Sequence, residues 1–93
     1  MQNIVRFFNQ LTAWRFPMHL MGSAPFIWCA FRACEREAEG ERWAVMALCD
    51  EYARAHEGWT QWAVWRNIQD ALKASQGPKR PGDAIRALVR VAK

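Results

Sequence analysis

The side chains best equipped for chemistry in this sequence are Cys29, Cys34, Cys49, His19 and His56. A thiolate can attack an electrophile or ligate a metal, and an imidazole can serve it as base or join it as a second ligand. Their spacing favours neither use. A zinc site draws on close ligand pairs such as Cys-x-x-Cys, and the sequence has none. Cys29 and Cys34 lie five apart, which in a helix points them to different faces, and Cys49 follows fifteen later. Cys49 and His56, seven apart, do share a helical face. The simpler fate for both is the core side of that helix, with His56 near its C-terminus where a positive ring suits the dipole. We therefore expect buried structural thiols and no metal site.

Other catalytic signatures are missing. There is no glycine-rich phosphate loop and no Gly-x-Ser-x-Gly elbow, and His56-Glu57 lacks the second histidine of a metalloprotease helix. The acids Glu35, Glu37, Glu39 and Glu41 alternate with Arg36, Gly40 and Arg42, a pattern typical of a solvated helix face. The expectation is a protein without catalytic residues and without a cofactor, not an enzyme.

What the composition does emphasise is aromatic surface. Six tryptophans, five phenylalanines and Tyr52 outnumber the nine leucines and isoleucines, and arginine outnumbers lysine ten to three. Each aromatic buries about 150–250 Å², so twelve of them need more cover than one small core supplies. Trp and Arg are also the types most enriched at the energetic centres of protein interfaces. A GC-rich genome would raise arginine without any function, and tryptophan can simply be core. Trp59, Trp62 and Trp65, three apart, span roughly 120° of a helix. That arc is wider than one buried seam, so at least one indole should be partly exposed. Trp43 sits among charges, off the Val45–Leu48–Tyr52 stripe. The sequence thus nominates Trp43, Trp59, Trp62 and Arg66 as partner-binding residues, with Trp43 and Trp59 as the exposed anchors.

The charge is polarised. Residues 1–34 carry +3, 35–57 carry −4, 58–72 balance, and 73–93 carry +5, within a net charge of +4. The basic end offers a rival reading: Lys79, Arg80, Arg86, Arg90 and Lys93 could neutralise phosphates while aromatic rings stack bases. No zinc-finger, homeodomain or ribonucleoprotein signature accompanies them, and the acidic 35–57 segment would repel a nucleic-acid backbone. Outward cations near the end of an amphipathic helix also have an ordinary explanation in solubility and the helix dipole.

These residues need elements to hold them. Apolar residues recur at three and four almost throughout, which is the helical period. The spacing predicts helices over about 2–15, 24–39, 42–57, 60–75 and 84–92, with a loop at 77–82. Ser23 should cap the second helix, with Pro25 in its first turn. Gly40 either ends that helix or lies within one continuous helix of some thirty residues, and ordinary helix lengths favour the break. Thr60 should cap the fourth helix and Asp83 the last. No segment alternates with period two. The fold class is all-α, a small single-domain bundle of four to five short helices.

The longest stretch without a formal charge, Phe16 to Phe31, is short and holds Pro17, Gly22 and Pro25, so no membrane span is expected. The stripe Ile4–Phe7–Leu11–Trp14 could lie on a membrane surface, but a bundle helix needs the same stripe. The first residues do not read as a secretory signal, and an odd number of cysteines fits reduced thiols, so the expected location is cytoplasmic. The functional expectation is a non-enzymatic protein-binding module: an inhibitor, adaptor or regulator of the kind that short phage-encoded proteins exemplify. A homodimer would also cover spare aromatic surface, and a small nucleic-acid-binding protein is the alternative.

Overall fold

A computed structural model describes residues 3–18 and 24–93, which form five α-helices and no strand. They are α1 (Ile4–Ala13), α2 (Ala24–Ala38), α3 (Val45–Ala55), α4 (Gln61–Ala74) and α5 (Pro81–Ala92). The all-α reading holds, and each expected helix is present with its ends drawn in or shifted. Ser23 and His19 lie outside the described residues.

The helix ends show how local sequence sets the boundaries. Asn3 caps α1 by accepting the Arg6 amide at 3.0 Å, and Thr60 caps α4 by accepting the Ala63 amide at 3.2 Å. Two helices finish in the same Schellman geometry. After α2, the Gly40 amide donates to the Glu37 carbonyl and the Glu41 amide to that of Arg36, with Gly40 at φ +74°. After α1, the Arg15 amide donates to Thr12 and the Phe16 amide to Leu11, with Arg15 at φ +52°. Glycine adopts this conformation freely, whereas arginine adopts it at a steric cost. Gly40 therefore breaks the chain between α2 and α3, as helix length suggested.

The start of α5 corrects the sequence reading. Pro81 occupies the first helical turn and Arg80 stands at the cap without a side-chain bond, so Asp83 lies inside the first turn rather than capping it. Proline at this position loses nothing, since its missing N–H would have no helical partner. Asp83 still complements the helix dipole, and it pairs with Arg86 at 3.3 Å.

α2 is the central element, packed against α3, α4 and α5, while α3 also packs on α4 and α1 on α5. Enclosure on several sides explains why Cys29 and Cys34 are both buried although they point to different faces of α2. Cys49 is buried as well, and all three thiols are free. The core joins Phe7, Leu11, Phe26, Leu48, Val64, Ile68, Leu72, Ile85 and Leu88, none of which retains exposure. Phe16 stacks obliquely on Phe26 with centroids 5.0 Å apart, and Phe31 meets Phe7 at 4.7 Å, tying α1 to α2. The α4–α5 connection is fastened to the end of α1: the Gln76 amide donates to the Trp14 carbonyl at 2.6 Å. Gly77 lies flat against the Trp14 indole, where any Cβ would collide with the ring. The result is a disc of 31 × 30 × 19 Å. Among the described residues, no helix is long and apolar enough to cross a membrane.

Candidate functional site

The aromatic residues sort sharply once they are placed. Phe7, Phe16, Phe26 and Tyr52 are buried, and seven of the remaining eight are half-buried. Trp62 alone is exposed, keeping 67% of its surface. It stands on the outer side of α4, while Val64, Ile68 and Leu72 of the same helix enter the core. Its ring meets Trp65 edge-to-face at 5.8 Å and 80°. Trp65 is half-buried and packs on the core, so it forms a fixed support for the outer indole. Arg66 is exposed one turn further along, followed by the half-buried Gln69 and the exposed Lys73. These four positions, at i, i+4, i+7 and i+11, lie within roughly 60° of one another around the helix. Neither Arg66 nor Lys73 makes an ion pair among the described residues. Trp62 and Arg66 are among the residues that the sequence nominates, and Gln69 and Lys73 are not. Their spacing from Trp62 was the available signal.

Trp43 and Trp59 are corrections, since both are half-buried rather than exposed. The Trp43 indole N–H donates to Glu37 at 3.3 Å, and the Arg86 guanidinium stands 5.8 Å from its ring centroid. Trp59 packs edge-on to Tyr52 at 5.6 Å and 87°. The same Tyr52 ring stacks on His56 at 3.9 Å, and Trp28 meets both edge-on, closing an aromatic cluster across α2, α3 and the turn into α4. These two indoles hold the fold together at its seams.

The thiols are buried and the imidazole is hydrogen-bonded within its own helix. His56 has its Nδ1 2.9 Å from the Tyr52 carbonyl and its ring on the Tyr52 face, so it is engaged away from Cys49. Cys49 instead neighbours Cys29, whose Sγ donates to the Leu48 carbonyl at 3.7 Å. The adjoining Cys49 thiol and burial both push the Cys29 thiol well above its ordinary value, and burial raises Cys34. Cys29 and Cys34 are therefore held as neutral thiols, whereas the hydrogen bond from Cys29 lowers the Cys49 thiol against its burial. Among the described residues, no group of three or more His, Cys, Asp or Glu side chains is placed to hold a metal ion.

The acidic segment is tied into the fold by arginine. Glu51 Oε1 accepts from Arg36 at 2.8 Å and from Arg32 at 3.3 Å, bridging α3 to α2. Burial opposes ionisation of Glu51, yet the Arg36 and Arg32 guanidinium groups outweigh it and hold the carboxyl below its ordinary value. Arg36 also reaches Glu41 at 3.6 Å, and Arg32 reaches Glu35 at 3.9 Å. Glu39 is exposed, and the adjoining Glu41 carboxylate raises its pKa.

The basic end is largely occupied in the same way. Lys79 donates to the Leu72 carbonyl at 3.3 Å and to that of Ser75, satisfying the last turn of α4. Arg86 pairs with Asp83 and leans over Trp43, and Lys93 pairs with Glu37 at 3.7 Å. Arg80 and Arg90 are the cations of this group that make no ion pair among the described residues. The chain matches no known protein family, no curated protein and no solved structure.

Proposed function

We propose that this chain is a non-enzymatic protein-binding module, an inhibitor, adaptor or regulator that occupies a partner's surface through Trp62 and Arg66. The observation that carries the reading is the exposure of Trp62 on a helix whose other large apolar residues are buried or, for Trp65, half-buried. Covering two-thirds of an indole removes somewhat over 150 Å² from water, a gross gain of about 4 kcal/mol at 25 cal/mol per Å². Part of that offsets the entropy of association. The indole also rests edge-on against Trp65. Trp43 and Trp59 act as supports in this reading, not as anchors.

Such a module needs no cofactor and would act in the cytoplasm, as short phage-encoded modulators of host proteins do. A second copy of the chain could cover the same indole and make a homodimer. Nucleic acid ranks lower, because Lys79, Arg86 and Lys93 already have internal partners.

The test is capture from a bacterial lysate by the tagged protein, with and without nuclease, read by mass spectrometry. One protein retained in near-stoichiometric amount by the wild type after nuclease, and lost with Trp62→Ala, is the expected result. Capture that vanishes with nuclease would move the function to the basic C-terminal helix.

A further inference from the structure

From the charge around Trp62 we infer the chemistry of the partner: an acidic amphipathic segment of another protein, whose apolar side chains cover the indole while its carboxylates meet Arg66 and Lys73. The inference rests on the protein-binding reading and goes beyond it by fixing the sign of the partner's charge. Its basis is a contrast within the molecule. Arg32, Arg36, Arg54, Arg86 and Lys93 each pair with a carboxylate of this chain. Among the described residues Arg6, Arg15, Arg42, Arg66, Lys73, Arg80 and Arg90 do not, and of these Arg66 and Lys73 are the two that lie on the stripe of the most exposed aromatic residue. The nearest acid along α4, Asp70, sits roughly 40° beyond Arg66 around the helix, at the edge of the stripe. It forms no ion pair with either cation.

The stripe therefore presents an indole, an amide at Gln69 and two cations without an ion pair, with the Asp70 carboxylate to one side of them. An approaching acidic helix would meet the indole with its apolar face and the cations with its flanking acids. Charge of opposite sign would steer the encounter and set the register of docking. Two cations are too few to hold a nucleic-acid backbone, where affinity rests on many phosphate contacts. A second copy laid face to face would gather four unneutralised cations in one interface.

The experiment is selection of a random-peptide phage library on the immobilised full chain, with binding of the selected synthetic peptides measured by fluorescence anisotropy. A labelled oligothymidylate serves as the nucleic-acid probe, and sedimentation of the protein alone reports self-association. The inference predicts selected peptides that combine apolar residues with a net negative charge. Their affinity should fall about thirtyfold or more with Trp62→Ala and about tenfold with Arg66→Glu or Lys73→Glu, with the melting temperature of each variant near wild type. Neutral or basic peptides whose binding still depends on Trp62 would overturn the acidic partner and leave the protein-binding function standing. Peptides indifferent to Trp62→Ala, or no selection at all, would overturn both. Oligothymidylate binding removed by Trp62→Ala would overturn the inference in favour of nucleic acid. A dimer dissolved by the same substitution would overturn it in favour of a second copy.

Discussion

The outer face of α4 and the basic face of α5 carry the same ingredients in sequence and different ones in space. Both helices place cations at helical intervals: Arg66 and Lys73 on one, Arg86, Arg90 and Lys93 on the other. On α5, Arg86 turns to Asp83 and Trp43 and Lys93 reaches across to Glu37 at the end of α2, while Arg90 makes no ion pair among the described residues. On α4, Arg66 and Lys73 make no ion pair among the described residues and lie one and three turns along the stripe from an exposed indole. A helical pattern of charge defines a face, but the acids within reach, on the same helix or a neighbouring one, decide whether that face is available. α2 delivers Glu37 to α5 and delivers no acid to the outside of α4. A surface engaged within the fold stabilises it, and a surface left free can recognise something else.

The largest effect that would break this contrast concerns the two sides of α4. Leu72→Ala, on the inner side, should cost about 2–5 kcal/mol in a denaturant titration, because Leu72 is fully buried. A loss near zero would mean that α4 does not seat its inner ridge in the core, and its outer face would then be misassigned. Next in size are the two Schellman ends, one closed by glycine and the other by arginine. Gly40→Ala should lower stability by about 1 kcal/mol through backbone strain alone, since nothing crowds a Cβ there. Arg15→Gly should change it by a similar amount in the stabilising direction. Equal and opposite shifts in melting temperature are expected, and shifts of the same sign would refute the shared geometry.

A sharper comparison sets Lys79 against Lys73. Lys79→Ala removes a donor from the last carbonyls of α4 and should cost about 0.5–1 kcal/mol. Lys73→Ala should stay within about 0.5 kcal/mol of wild type, having no internal partner. Thermal unfolding that ranks them the other way would reverse the distinction between engaged and free cations. The smallest effect is a pH dependence. The folded state holds Glu51 below its ordinary carboxylate value, so its contribution is present above the unfolded value of about 4.3 and fades as pH falls through the lower folded value. Stability measured from pH 6 down to about pH 3 should therefore fall less steeply for Glu51→Gln than for the wild type. Identical slopes would remove Glu51 from the account.

Much of this architecture was legible in the sequence because helices announce themselves locally. The three-and-four spacing located five helices, Gly40 marked the break, and Thr60 capped α4 as its position implies. The start of α5 was misplaced because Pro81-Gly82 reads as a loop, although proline is equally at home in a first helical turn. The burial of Trp43 and Trp59 was illegible for a different reason. Their cover comes from Glu37 and Arg86 in one case and Tyr52 in the other, and no local spacing reports those contacts. Trp62 was half legible: three tryptophans over a wide arc required one to stay outside, and only packing against α3 and α2 selected which.

The central claim is that Trp62 is free of the fold and committed to a partner. The most direct measurement determines thermal unfolding and partner capture on one preparation of Trp62→Ala beside the wild type. The account predicts a melting curve that superimposes on that of the wild type, within about 0.5 kcal/mol, together with loss of the captured protein. A large drop in melting temperature would show that the indole belongs to the core, and undiminished capture would show that the partner binds elsewhere.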